Sequence, residues 1–253
     1  PAEYAAYLTD ALADDAPVSE HVETALGMLS LVAPGAFDTP TIVQDLVASV
    51  LGIYRGATRD VVVIDRGAEI AEREDQVSAT LVHEFIHALQ DQAVDLGDLR
   101  SEHVTSGDAA AAISALIEGE ATLHEDRYRA ALLGIDGAEL DWLRRHRERV
   151  ELAGQRARDT ASPYASTFRL FPYAWGARYA SFVWDDGALD AMLARSAAPP
   201  TSTYELMAST DALVESAPLV EPTEPVPDGL NEIDDEVLGA WGAFLVFSRR
   251  TTV

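Results

Sequence analysis

Cysteine and lysine are both absent from this 253-residue chain. Without cysteine there can be no disulfide and no thiolate ligand, so any metal site must be built from His, Asp and Glu. Every basic residue is arginine: 18 of them face 43 acidic side chains, a net charge of −25. A field that negative works against nucleic-acid and anionic-membrane partners and favours solubility. Long apolar runs are missing as well. Charges, Gly or Pro interrupt each candidate before the ~18 residues that a membrane span requires. The opening "PAEYAAYLTD" has neither an initiator Met nor a signal-peptide pattern, as expected of a processed or trimmed chain. What is plentiful is apolar side chain, at 48%, enough for a buried core at this length.

The elements follow from periodicity and punctuation. "PAEYAAYLTDALADD" and "SEHVETALGMLSLV" read as helices, the second with Ser19 as N-cap, and Thr39-Pro40 opens a third. "RDVVVIDRG" is the clearest strand. A helix from about Asp75 to Leu96 follows, with Val77, Leu81, Phe85 and Ala88 forming its apolar face and Leu89 beside them. "SGDAAAAISALIEGEATLHEDRYRAALLG" is a long helix between an N-cap at Ser106 and a stop at Gly134. "AELDWLRRHRERVELAGQRARD" is another helix, with a basic middle in which His146 reads as solvated. "VLGAWGAFLVFSRR" fits a helix or a buried strand. The expected fold is α+β, mainly α, with a small sheet ahead of the helix at 75–96. One domain spans 1–253: N-terminal helices over 1–50, strand and two central helices over 51–135, and a C-terminal helical part over 136–253. An acidic, proline-rich loop lies at about 215–236.

The chemistry-bearing stretch is "TLVHEFIHALQDQ". A spacing of four rotates a helical side chain by about 400°, so His83 and His87 stand one above the other and both can meet a single Zn²⁺. Glu84 lies about 100° round, able to reach a water held by the ion without being a ligand. Such a carboxylate can take the water's proton as it attacks a carbonyl. The longer metzincin pattern requires Gly and His where this chain has Gln90 and Ala93, so that class is excluded. A third ligand must come from a later segment. Glu118 is the best candidate, because its helical stripe (Ala111, Ser114, Ala115, Thr122) is otherwise small and lets helices approach. Glu120 and His124 share a face and compete for the role, or support the site from behind the ligands. His103 is a further rival.

These residues resemble a family. "HEFIHALQDQ" followed by "ALIEGEAT" is similar to the gluzincin zinc metallopeptidases, which bind the metal through H-E-x-x-H and a downstream glutamate. The resemblance points to Glu118 of the Glu-Gly pair rather than to Glu120, although the 31 positions from His87 exceed the gap in the zinc aminopeptidases of that clan. A narrower resemblance is to uncharacterised bacterial and haloarchaeal secreted or surface proteins. It rests on "HALQDQ", "EGEA", "FPYAWGARYA" and "PPTSTYEL" in that order, and on "VLGIYRGATRDVVVI" ahead of the metal helix. It implies a minimal gluzincin-like metallopeptidase domain, a zinc cofactor, a peptide or protein substrate and an extracytoplasmic location. Where those proteins commonly carry a His-Pro pair, this chain has Ala208-Ser209. Tyr173 of "FPY" is then the candidate donor to the oxyanion. The alternative expectation is a catalytically weak or inactive surface module that keeps the same scaffold.

Overall fold

The computed structural model describes residues 2–14, 20–35, 39–67, 74–137, 140–210, 213–214 and 237–248. Among them are eleven α-helices and a two-stranded antiparallel sheet, the mainly helical α+β architecture that the patterning predicts. Three helices come first: α1 (Ala2–Asp14), α2 (Glu20–Met28) and α3 (Thr39–Ser49). A hairpin follows, β1 (Gly52–Arg55) and β2 (Asp60–Val63), then α4 (Glu74–Val94), α5 (Leu96–His103) and α6 (Gly107–Leu132). The C-terminal part contains α7 (Trp142–Asp159), a 3₁₀ turn (Pro163–Ala165), α8 (Ser166–Arg169), α9 (Phe171–Ala197), α10 (Thr203–Ala208) and α11 (Gly239–Ser248). Ser19 and the acidic loop at 215–236 lie outside the described residues. No helix among the described residues is long and apolar enough to cross a membrane.

Local chemistry accounts for the boundaries. Ser106 Oγ accepts from the Ala109 amide, and Gly134 adopts φ 69° just beyond the last turn of α6. Asp141 caps α7 through the Arg144 amide. "DVVV" does not stand alone: it pairs with Gly52–Arg55, Gly52 opposite Val63 and Arg55 opposite Asp60. An Arg55–Asp60 ion pair, with Nε 2.9 Å from Oδ1, ties the hairpin next to its turn. "VLGAWGAFLVFSRR" resolves as helix, not strand, over the described residues that end at Ser248.

α6 is the axis of the molecule, with α9 along one side and α4 along another. Its contact with α9 is backbone against backbone. A Cβ on Gly119 would stand 2.2 Å from the Gly176 carbonyl carbon, and one on Gly176 would stand 2.1 Å from the Ala115 oxygen. Around this seam the main core collects Leu116, Leu123, Phe171, Trp175, Tyr179, Trp241 and Leu245. Separate clusters form under α5 (Leu96, Leu99, Ile113, Ile117) and between α1 and the hairpin (Tyr4, Leu8, Ile64).

The rotation of α4 differs from the expectation. Of its expected apolar face, Val77, Leu81 and Ala88 are only half-buried and Phe85 is 53% exposed, as is Leu89 beside them at 59%, while His83, Glu84, His87, Gln90 and Asp91 are buried along with Ala79. Burying polar groups costs free energy unless each finds a partner. Here partners are supplied by α6 and the hairpin, so counting hydrophobic residues misassigns the buried side.

Candidate metal centre

α4 holds His83 and His87 one turn apart, with ring centroids 4.7 Å from each other and planes nearly perpendicular. α6 brings Glu118 to them. Its Oε2 lies 3.0 Å from His83 Nε2 and 3.4 Å from His87 Nε2, and the three candidate ligand atoms all fall within 4.8 Å of one another. Ligands about 2.05 Å from a tetrahedral Zn²⁺ are separated by roughly 3.3 Å along each edge. Both separations therefore match the edges of a zinc polyhedron.

Electrostatics agree with a site built for a cation. Burial alone would lower the pKa of His83, but the Glu118 and Glu125 carboxylates beside it outweigh that and raise it to about 10. Burial would push the Glu118 carboxyl up, yet His83 and His87 hold it far below the usual carboxylate range. The carboxylates thus favour a positive partner at the imidazoles, and a divalent ion can take the place of a proton there.

The tautomer of His87 follows from its neighbours. Gln90 Nε2 donates to Glu120 Oε2 at 2.8 Å and to the Ile117 carbonyl at 3.0 Å. A carbonyl only accepts, so this end of Gln90 must be the amide nitrogen. Gln90 Oε1 therefore faces His87 Nδ1, 2.9 Å away, and accepts its proton. Nε2, which faces Glu118, is then the His87 nitrogen that a metal could take. Glu120 thus backs His87 through Gln90, the supporting position anticipated for it. In the sequence Gln90 stands out only as a departure from the metzincin pattern, although its place three residues after His87 is a usable signal.

His83 is backed by Glu125. Oε2 lies 3.2 Å from Nδ1, a contact of charges rather than an aligned hydrogen bond, since Nδ1 has no hydrogen-bond partner. Glu125 also accepts from Arg129. His124 does not share this role: its ring packs edge-on against Trp184, centroids 4.8 Å apart, rather than against the ligands. One residue along a helix is about 100° of rotation, which is enough to exchange the two. His146 is likewise not solvated. It is 1% exposed and sits between Ser181 Oγ at 2.5 Å and Asp126 Oδ2 at 3.0 Å.

Burial, helped by the Arg127 charge, depresses the pKa of His124 to about 4. A folded-state value below the unfolded 6.5 means that the neutral ring contributes its full stability above pH 6.5. That contribution is lost as the pH falls from 6.5 to 4, to a maximum of about 3 kcal/mol. His124→Phe, which keeps an aromatic edge on Trp184, should show a smaller loss of melting temperature between pH 7 and pH 4 than the wild type. Equal losses in both proteins would reject a charging cost at this site.

Glu84 is buried beside the histidines, and its Oε2 accepts from the Tyr54 amide of β1 at 2.7 Å. Burial raises its pKa, with only partial opposition from the two imidazoles. The hairpin can come this close because residue 52 is glycine. A Cβ there would stand 3.1 Å from Thr80 Cγ2 and 3.3 Å from Glu84 Cγ. Tyr173, at the start of α9, lays its ring over His83 with centroids 6.0 Å apart. The residue is 38% exposed, so it is a wall of the site and not a core tyrosine. Burial around its hydroxyl and the nearby Glu118 and Glu84 charges push its pKa up, so it stays a protonated donor. These groups line a cleft of about 630 Å³, together with Tyr4, Leu8, Leu46 and Ile53.

No family model matches this chain, nor does any curated protein or solved structure. Its function must then follow from the side chains themselves.

Proposed function

We propose that this protein is a zinc-dependent hydrolase acting on peptide bonds. The observation that carries the reading is the convergence of His83, His87 and Glu118 within 4.8 Å, with Glu84 buried beside them in an open cleft. Donor chemistry supports the fit: two neutral-capable imidazoles and a carboxylate are a common catalytic zinc set, and they leave a coordination position free. A bound zinc ion supplies Lewis acidity, lowering the pKa of water and polarising a carbonyl.

The chain's own residues supply the rest. Glu84, with its pKa raised and the Tyr54 amide fixing one oxygen, is placed to accept the proton of an attacking water and pass it to the leaving amine. Tyr173 offers a hydroxyl donor at the cleft wall for charge developing on the substrate oxygen. Gln90 and Glu120 hold the His87 ring in its tautomer, and Glu125 offsets charge on His83.

The test is metal content. Purified wild type should contain about one zinc per chain, removable by chelator, and His83→Ala should contain close to none. Near-zero content in both proteins ends the proposal.

One observation favours a second reading, a binding module that keeps the metal but turns over poorly. Ala208 offers no side-chain donor where the resembling proteins carry a histidine. The neighbouring Ser209 is fully buried, and its Oγ accepts from the Val214 amide. Tyr173 remains a hydroxyl donor at the cleft wall. Digestion of a peptide library separates the readings, because chelator-sensitive cleavage cannot come from a pure binding module.

A further inference from the structure

A second cleft, of about 490 Å³, opens on the far side of Tyr173, bounded by α6, α7 and the start of α9. Its charge is opposite to that of the protein. Arg145, Arg149, Arg156 and Arg169 line it, against Asp126 and Glu148. The two acids are already engaged: Asp126 binds His146 and Arg149, and Glu148 binds Arg144. Among the described residues no carboxylate lies within ion-pair distance of Arg145 or Arg156. Arg145, whose guanidinium lies 5.8 Å over the Trp142 ring centre, and Arg156 thus line this cleft without a paired carboxylate among the described residues, which makes it a cationic pocket inside an acidic field.

Tyr173 is the shared wall, since it lines this cleft and the metal cleft alike. Leu152, Leu170 and Ala174 add apolar lining to the same cleft. We propose that this cleft binds acidic side chains of a peptide, and that the same peptide continues past Tyr173 to the metal centre. Planar guanidiniums match carboxylates through paired hydrogen bonds, and the apolar lining accepts the stems of Glu side chains. A long nucleic acid fits less well, because it would run beyond this cleft into the acidic field of the rest of the protein. Binding of acidic side chains stands on the cleft alone. Its assignment as a substrate subsite rests on the hydrolase reading.

The experiment uses a short fluorescein-labelled peptide of alternating Glu and Ala and its Gln/Ala counterpart. Anisotropy is read at low ionic strength with chelator present, so metal plays no part. The Glu peptide should bind about tenfold more tightly than the Gln peptide. Arg145→Gln/Arg156→Gln should lose that preference, and Arg145→Lys/Arg156→Lys should keep part of it. Equal binding of the two peptides overturns the proposal, as does a double Gln variant that binds like wild type. A short oligonucleotide binding as tightly as the peptide overturns the assignment to peptides. With zinc restored, the Gln variant should raise KM for the Glu peptide and leave kcat unchanged; a fall in kcat at constant KM overturns the shared-substrate assignment. Absence of any cleavage counts against the hydrolase reading and leaves the binding result to decide the cleft.

Discussion

Glu84→Gln should retain one zinc per chain and lose peptide hydrolysis by about 10³-fold, the usual range for removing a general base being roughly 10²–10⁴. The substitution is chosen because it preserves shape. A glutamine at this position can still accept from the Tyr54 amide through Oε1, so the contact between α4 and the hairpin survives. What it cannot do is take a proton at neutral pH. The loss should therefore appear in kcat, with KM little changed, because the group acts in the transition state and not in ground-state binding. Single-turnover rates with matched zinc content give the cleanest measurement. A variant within tenfold of wild type would remove Glu84 from the chemistry. A variant that also loses zinc would instead make this carboxylate part of the metal's support.

Local features were legible in the sequence, and relative rotations were not. Ser106 and Gly134 bound α6 as expected, because capping depends on a few neighbouring residues. The pairing of His83 with His87 is equally local, fixed by the helical repeat. Glu118 was legible through its small neighbours, whose size has meaning only if another helix comes close. The partner of Glu118 is a different matter. α6 and α9 meet backbone to backbone at Ala115, Gly119 and Gly176, so the seam that positions Tyr173 and the surface that carries Glu118 are adjacent faces of one helix. Nothing in the local sequence says how far α6 is turned between α4 and α9. For that reason His124 and Glu125 exchanged roles, and the Gln90–Glu120 connection went unseen. The same uncertainty turned the buried face of α4 away from Phe85 and Leu89. Its buried face is polar, and only the partners across the interface make that arrangement stable. His146 shows the rule from the other direction: Arg145 and Arg147 beside it are exposed, yet the intervening residue points into the bundle.

Gly119→Ala should lower stability by about 3 kcal/mol or more, against the ordinary direction for this exchange. In a helix interior, alanine normally stabilises relative to glycine by up to about 1 kcal/mol. At position 119 the added methyl would lie 2.2 Å from a backbone carbon of α9, and backbone cannot swing aside as a flexible side chain can. α6 and α9 must then separate, leaving voids along Leu123, Trp175 and Tyr179. For a chain of this size the melting temperature should fall by roughly 6–12 °C. Gly27→Ala is the internal control. It lies in α2 with open space where the methyl would go, so it should be neutral or slightly stabilising. Because Tyr173 sits one turn before Gly176, the separation should also carry its ring away from His83. Gly119→Ala should therefore lose any Tyr173-dependent activity at temperatures where it remains folded. If Gly119→Ala melts with the wild type, the helices are not in backbone contact, and the placement of Tyr173 at the cleft wall loses its support.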